Sequence, residues 1–201
     1  MRKVIVNEFM TLDGVAQAPG AADEDTSGGF QHGGWHMQYF DETSQKAVLD
    51  GIVEAEGFLL GRRTYEIFAA YWPNAPEEEQ VIAEPLNTKP KYVASRTLTN
   101  PLEWQNSTVL DGDLAEAVRG LKQEDDDDVH VIGSTELVRS LIEHGLVDEF
   151  RFMIDPLVVG GGKRLFRDDG ALRPLRLVDA EVTSTGAIIA AYAPAAIPER
   201  P

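Results

Sequence analysis

The chain has 201 residues, 43% of them hydrophobic and 26% charged, a balance that implies a folded globule and excludes an extended disordered chain. It contains no cysteine, which excludes disulfides, thiolate metal sites and a cysteine nucleophile. A formal net charge of −16 opposes contact with a nucleic-acid backbone, so any anionic ligand must meet a local cluster of cations.

Met1-Arg2-Lys3 leads directly into Val4-Ile5-Val6-Asn7-Glu8-Phe9, too short an apolar run for a signal peptide. No segment reaches the length of a bilayer span, so a cytoplasmic protein with no membrane partner and no nucleic-acid partner is expected. Residues 3–10 read as a strand, with Val4, Val6 and Glu8 on one face and Ile5, Asn7 and Phe9 on the other. Thr11-Leu12-Asp13-Gly14-Val15 then turns the chain. Asp13 either stabilises that turn or is a carboxylate held at a strand end, where α/β proteins place ligands.

Residues 16–40 show neither a helical nor a strand period, and Pro19, Gly20, Gly28, Gly29, Gly33 and Gly34 punctuate them. A loop of that length is a lid or is disordered. The cluster Trp35, His36, Tyr39 and Phe40 favours a loop that packs down. Its rings either line a pocket for a flat heterocycle or anchor the loop to the core. His32 and His36 are four apart, but Gly33-Gly34 between them argue against a helix presenting both, and no metal site is expected.

Residues 41–55 read as a helix capped by Asp41 or Thr43, with Ala47, Val48, Gly51, Ile52 and Ala55 as its buried stripe. The apolar run Gly57-Phe58-Leu59-Leu60 stops at Gly61, and Arg62-Arg63-Thr64 open a helix whose Tyr65, Phe68, Ala69 and Trp72 share one face. Another helix is expected over 77–86 and short strands over 91–96 and 108–110. Asp113 and Glu116 have the spacing of an acidic capping box, followed by a helix with Leu114, Ala117, Val118 and Leu121 facing inward. The acidic run 125–128 reads as a solvated turn. Val129-His130-Val131-Ile132 ends at Gly133, and a helix opens at Ser134-Thr135 and stops at Gly145. Residues 146–156 are strand-rich. Residues 174–185 and 187–193 form a hairpin turning at Thr185-Gly186, and 194–201 form a flexible tail after a single domain over 1–193.

Strands alternating with helices imply an α/β fold with a mostly parallel sheet and an antiparallel C-terminal hairpin. Three strand ends carry residues suited to phosphate: Gly61-Arg62-Arg63-Thr64, Ser95-Arg96 and Gly133-Ser134-Thr135. Lys89-Pro90-Lys91 and Lys163-Arg164 are the other basic clusters in this acidic chain. No Gly-x-Gly-x-x-Gly follows the first strand, which excludes the ordinary Rossmann fingerprint.

In this order the motifs are specific. Thr11-Leu12-Asp13-Gly14-Val15, Leu59-Leu60-Gly61-Arg62-Arg63-Thr64-Tyr65-Glu66, Val93-Ala94-Ser95-Arg96 and Val131-Ile132-Gly133-Ser134 are followed by Gly145-Leu146-Val147-Asp148-Glu149-Phe150. The run from Pro156 through Gly160-Gly161-Gly162 to Phe166 completes the set. Over nearly its whole length the chain resembles the dihydrofolate-reductase-like superfamily, within it the riboflavin-biosynthesis reductase branch (RibD C-terminal domain).

The resemblance implies a three-layer α/β/α domain, commonly a homodimer, that uses NADPH to reduce a small heterocyclic substrate. It implies that Gly61, Arg62, Arg63 and Thr64 hold the pyrophosphate, and that Ser95 and Arg96 take the adenosine 2′-phosphate. Gly133, Ser134 and Thr135 would sit against the pyrophosphate and nicotinamide ribose, with Gly161 and Gly162 bordering the site. Where dihydrofolate reductases have paired glycines, this chain has Gly133-Ser134. Asp13 is the expected acid, with Asp41 the nearest match to the carboxylate early in the first helix. Trp35, His36 and Tyr39 would pack the substrate. The deaminase signature fused to many such reductases is absent, so a single activity is expected. The alternative is a nucleotide-binding module of the same fold without hydride transfer.

Overall fold

The computed structural model describes residues 1–124 and 128–197. In chain order the elements are β1 (Val4–Thr11), α1 (Glu42–Glu54), β2 (Gly57–Gly61), α2 (Arg62–Tyr71), α3 (Gln80–Thr88), β3 (Lys91–Ala94), β4 (Ser107–Val109), α4 (Leu114–Gln123), β5 (Val129–Ile132), α5 (Thr135–Glu143), β6 (Glu149–Asp155), β7 (Leu175–Val182) and β8 (Ile188–Pro194). The strands belong to an eight-stranded sheet of order β4-β3-β2-β5-β1-β6-β8-β7. The chain divides into two compact units, the first Met1–Asn7 with Ala47–Val147, the second Glu8–Lys46 with Asp148–Pro201.

In the first unit the pairings β4–β3, β3–β2, β2–β5 and β5–β1 are all parallel. Strand β2 is buried at every position, as its unbroken apolar run requires of a strand covered on both faces. Phe58 and Leu60 enter a cluster with Ile52, Tyr65, Leu86, Val93 and Trp104. Burial of each such large side chain contributes about 1.5–3 kcal/mol. The α2 stripe lies as its spacing predicts: Tyr65 is buried, and Phe68, Ala69 and Trp72 pack on the same cluster. Helix α4 is capped by Asp113, whose carboxylate accepts the Glu116 amide at 3.0 Å. Its buried face is Ala115, Val118 and Leu121, while Leu114 and Ala117, both expected to face inward, are half-buried. The helix expected over 77–86 begins as a 3₁₀ turn, Glu77–Glu79, and becomes α-helical over Gln80–Thr88.

The lysines of Lys89-Pro90-Lys91 do not form an anion site. Lys89 Nζ donates to the carbonyls of Ile52 and Val53, at 3.3 and 2.6 Å, at the end of α1. Lys91 is 1% exposed, and its Nζ donates to the carbonyls of Leu86, Asn87 and Lys89, with the Trp104 ring 4.4 Å away. Both cations satisfy carbonyls that the ends of α1 and α3 leave without intrahelical partners. Of the acidic run, residues 125–127 lie outside the described residues. Asp128 accepts the Lys3 amide at 2.9 Å.

In the second unit β6, β8 and β7 are antiparallel, with Phe152 opposite Ala190 and an irregularity between Leu177 and Asp179. Gly186, at φ 86°, makes the turn between β7 and β8 that the sequence predicts. The long loop packs down on itself: Val15, Ala18, Phe30 and Trp35 form a buried cluster. The Trp35 indole donates to the Gln17 carbonyl at 2.8 Å. A β-carbon at Gly33 would lie 2.5 Å from the Ala22 carbonyl oxygen, so the fold of this loop requires glycine there. Of the expected tail, 198–201 lie outside the described residues.

Candidate functional site

The expected site residues form two groups, one in each unit. In the first unit they collect at the C-terminal ends of β2, β3 and β5. Gly61 closes β2 and is the N-cap of α2; Ser134 follows β5 and is the N-cap of α5. Neither helix start carries a side-chain cap, unlike α4. Their first amides therefore remain donors at the positive end of each helix dipole. The two starts touch. Gly61 N–H donates to the Gly133 carbonyl at 3.3 Å, and any β-carbon at Gly61 would lie 2.3 Å from Ser134 Oγ. Gly133 has φ 57°, and the Gly133–Ser134 peptide is cis. Thr135 is buried in the first turn of α5.

Gly61 is the register partner of Ala94, so Ser95 and Arg96 leave β3 beside the start of α2. The Ser95 hydroxyl accepts the amides of Thr97 and Leu98, at 3.1 and 2.9 Å, which shapes the turn after β3. Arg62, Arg63 and Arg96 are exposed, and Thr64 is half-buried. Arg62 pairs with Glu66 one turn along, at 2.9 Å. Three cations and two helix starts thus stand together in a chain whose net charge is −16.

In the second unit Asp13 joins two loops. Its carboxylate accepts the Thr11 hydroxyl at 2.6 Å, the Val159 amide at 3.2 Å and the Gly160 amide at 2.9 Å, with an Arg164 Nη2 contact at 3.4 Å. Backbone bonds close the same seam, from Leu12 to Leu157, Ala16 to Lys163 and Leu165 to Gly14. The Thr11 hydroxyl above all, then the Gly160 and Val159 amides, lower the Asp13 carboxyl to about 2 against a smaller opposing effect of burial. Asp13 is an anion at any neutral pH.

Asp41 is the N-cap of α1, accepting the Ser44 amide at 2.9 Å. Its second oxygen accepts the Ser184 hydroxyl and amide, at 2.6 and 2.9 Å, in the turn between β7 and β8. The Ser184 hydroxyl first, then the Ser44 amide, hold this carboxyl well below the usual carboxylate range. The Tyr39 carbonyl accepts from Thr185 in the same turn. Trp35 and His36 are core residues, 5% and 2% exposed. His36 stacks on Phe9 at 4.0 Å, and its Nδ1 lies 2.7 Å from Oδ2 of the fully buried Asp155.

A cavity of about 470 Å³ opens in this unit between Gly28, Phe30 and His32 on one side and Gly161, Gly162 and Lys163 on the other. The glycines expected to border a site line it, whereas its aromatic lining is Phe30 and His32 instead of Trp35, His36 and Tyr39. Asp155 escaped the reading of the sequence because a single acidic residue ending a strand carries no periodic signal; its pairing with His36 spans 119 positions. Among the described residues, no group of three or more His, Asp or Glu side chains is placed to hold a metal ion. Among them, too, no helix is long and apolar enough to cross a membrane.

The sequence model of the RibD C-terminal domain matches residues 2–189. The chain is 32% identical over 193 residues to the uncharacterized protein YyaP of Bacillus subtilis, covering 95% of this chain and 94% of that one. The uncharacterized protein YwjB of the same organism is 25% identical over 168 residues, 83% and 84% of the two chains. The fold is similar to that of a putative riboflavin biosynthesis protein from Shewanella, with TM-score 0.67, 18% identity and coverage of 96% and 99%. It is similar also to a pyrimidine reductase-like protein from Corynebacterium diphtheriae, with TM-score 0.66, 14% identity and coverage of 98% and 93%.

Proposed function

The chain belongs to the RibD C-terminal domain family, and on that premise we propose that it is an NADPH-dependent reductase of a small heterocyclic substrate. The observation that carries the reading is the contact between two uncapped helix starts, Gly61-Arg62 and Ser134-Thr135, on adjacent parallel strands. The residues present fit a dinucleotide with an extra phosphate. Close packing of Gly61 against Ser134 leaves backbone amides, with no side chain at residue 61, at the mouth of β2. Exposed arginines supply positive charge in a protein whose net charge is −16.

In this reading Gly61, Arg62, Arg63 and Thr64 hold the pyrophosphate, joined by Gly133, Ser134 and Thr135 on the side of the nicotinamide ribose. Ser95 and Arg96 take the 2′-phosphate: the serine oxygen accepts the turn amides, and its hydroxyl lies 3.5 Å from that of Thr97. The exposed Arg62–Glu66 pair is worth under about 1 kcal/mol and yields readily to a phosphate. Bound NADPH supplies hydride to a C=N or C=O group. Asp13 is a fixed anion that holds the Val159 and Gly160 amides in place. Trp35 and His36 belong to the core beneath the long loop of the second unit, and Tyr39 and Asp41 tie the end of that loop to the β7–β8 turn. The substrate class resembles 5-amino-6-(5-phosphoribosylamino)uracil of riboflavin synthesis.

We take the protein to work in the cytoplasm as a homodimer, for which the exposed Leu177, Val178 and Val182 of β7 offer an apolar face. The test of function is the loss of NADPH absorbance with a panel of pyrimidines, pterins and small carbonyl compounds. Turnover with one class supports the reductase. Tight NADPH binding without turnover on any of them favours the nucleotide-binding module.

A further inference from the structure

We propose that the cavity of the second unit is a binding site in its own right, built for a neutral, planar ring that carries a lactam group. Its lining belongs wholly to that unit. The site therefore goes beyond the reductase reading, which assigns the dinucleotide to strand ends of the first unit, and does not depend on it.

One buried side chain fixes the frame of the cavity. Gln17 is 3% exposed; its Nε2 donates to the carbonyls of Asp25 and Ser27, at 2.9 and 3.0 Å, and its Oε1 accepts the Lys163 amide at 2.9 Å. A single carboxamide thus joins the wall that carries Ser27 and Gly28 to the wall that carries Gly161 and Gly162. The same walls are tied by Lys163 Nζ, 2.6 Å from Asp25 Oδ2. They also meet where Gly162 approaches Phe30, since a β-carbon on residue 162 would stand 2.8 Å from that ring. A cavity held by such contacts loses little freedom when a ligand enters.

The groups that the frame leaves over specify the ligand. Among the described residues the N–H groups of Gly161 and Gly162 have no acceptor, and the Gln31 carboxamide has no hydrogen-bond partner. Those donors and the Gln31 oxygen complement the adjacent C=O and N–H of a lactam. Lys163 is paired with Asp25, so the wall holds no unmatched ammonium or carboxylate for an ionic ligand. The shape calls for a flat ring. Phe30 and His32 meet edge to face on one side, with centroids 5.7 Å apart, and the other side is bare glycine backbone.

Gly161 carries the argument furthest. Its φ is not positive, unlike that of Gly160 and Gly162, and a β-carbon there would touch nothing within 4 Å. Neither backbone conformation nor packing within the chain requires glycine at this position. Its bare Cα keeps the wall clear for a ring to lie against the backbone. The volume of about 470 Å³ is of the size that small-molecule sites have.

The test is a titration of the whole chain, labelled with nitrogen-15 glycine, with 2-pyridone and without NADPH. Saturable shifts of the Gly161 and Gly162 amide signals are expected, with a Kd of about 1 mM or tighter. N-methyl-2-pyridone lacks the N–H donor, and 6-hydroxynicotinate adds a carboxylate to the same ring; each should bind at least about tenfold more weakly. Gly161→Val should abolish the shift at Gly162 while leaving the thermal midpoint within about 2 °C of the wild type, as an exposed substitution does. The absence of saturable shifts overturns the site. Wild-type binding by G161V overturns its location, and equal binding of the N-methyl ring or tighter binding of the carboxylate overturns the ligand class. None of these outcomes bears on NADPH, so the reductase reading and this site stand or fall separately.

Discussion

A β-carbon on residue 61 would stand 2.3 Å from the Ser134 hydroxyl oxygen and 3.0 Å from the Ser134 amide nitrogen. The backbone of Gly61 is in an ordinary extended conformation, φ −69° and ψ 154°, so this glycine serves proximity and not an unusual backbone angle. Gly61→Ala is expected to cost about 1–3 kcal/mol of stability, the usual range for an overpacked core. It should also weaken NADPH binding at least about tenfold, because the two helix starts must separate. Thermal unfolding and titration calorimetry check both effects. Adding Ser134→Gly removes the two closest side-chain atoms and should recover part of each loss, a coupling that a double-mutant cycle measures.

Asp13→Asn tests the seam between the two loops. An asparagine turns an amide donor toward the Val159 and Gly160 N–H groups, or leaves one of them without an acceptor. The expected cost is about 1–3 kcal/mol near neutral pH. The pH dependence has a fixed sign. The folded-state value of about 2 lies below the unfolded carboxylate, so the contribution of Asp13 is complete above roughly pH 4 and lost as pH falls toward 2. Urea unfolding of wild type and D13N should converge toward the acid end of that window. Equal sensitivity of the two proteins to acid would contradict the assignment.

Much of this architecture was legible in the sequence because it rests on local signals. The apolar run of β2 broken at Gly61, the Asp113 cap and the Thr185-Gly186 turn each reflect neighbouring residues, and each lies where expected. The junctions after β2 and β5 were legible for the same reason: a strand, a glycine and a helix start are contiguous there. The partnerships were not. Lys89 and Lys91 read as cations for a ligand, but distant helix ends needed donors and took them. Likewise Asp13 and Asp41 read as candidate acids; their donors Thr11 and Ser44 are near in sequence, but nothing local showed that Gly160 and Ser184 would join in holding both carboxylates charged.

Lys91→Met tests the buried cap of α3. Burial pushes the ammonium down to about 8, while three carbonyls and the Trp104 ring use all its protons at neutral pH. Methionine fills similar volume but leaves those carbonyls without their donor, an expected loss of about 1–3 kcal/mol at pH 7. Between about pH 8 and the ordinary lysine value the unfolded chain keeps a proton that the folded chain releases. Wild-type stability therefore gains a rising contribution across that window, and K91M should lack it. Denaturant midpoints measured from pH 7 to 10 check the slope.

Calorimetric titration of the protein with NADPH, and of the charge-reversal variants Arg62→Glu and Arg96→Glu, tests the central claim most directly. Saturable binding is expected in the wild type, weakened at least about tenfold by either reversal. Arg96→Glu should weaken NADPH far more than NADH, which lacks the phosphate assigned to that residue. Absence of binding heat in the wild type, or affinity unchanged by both reversals, would contradict the account.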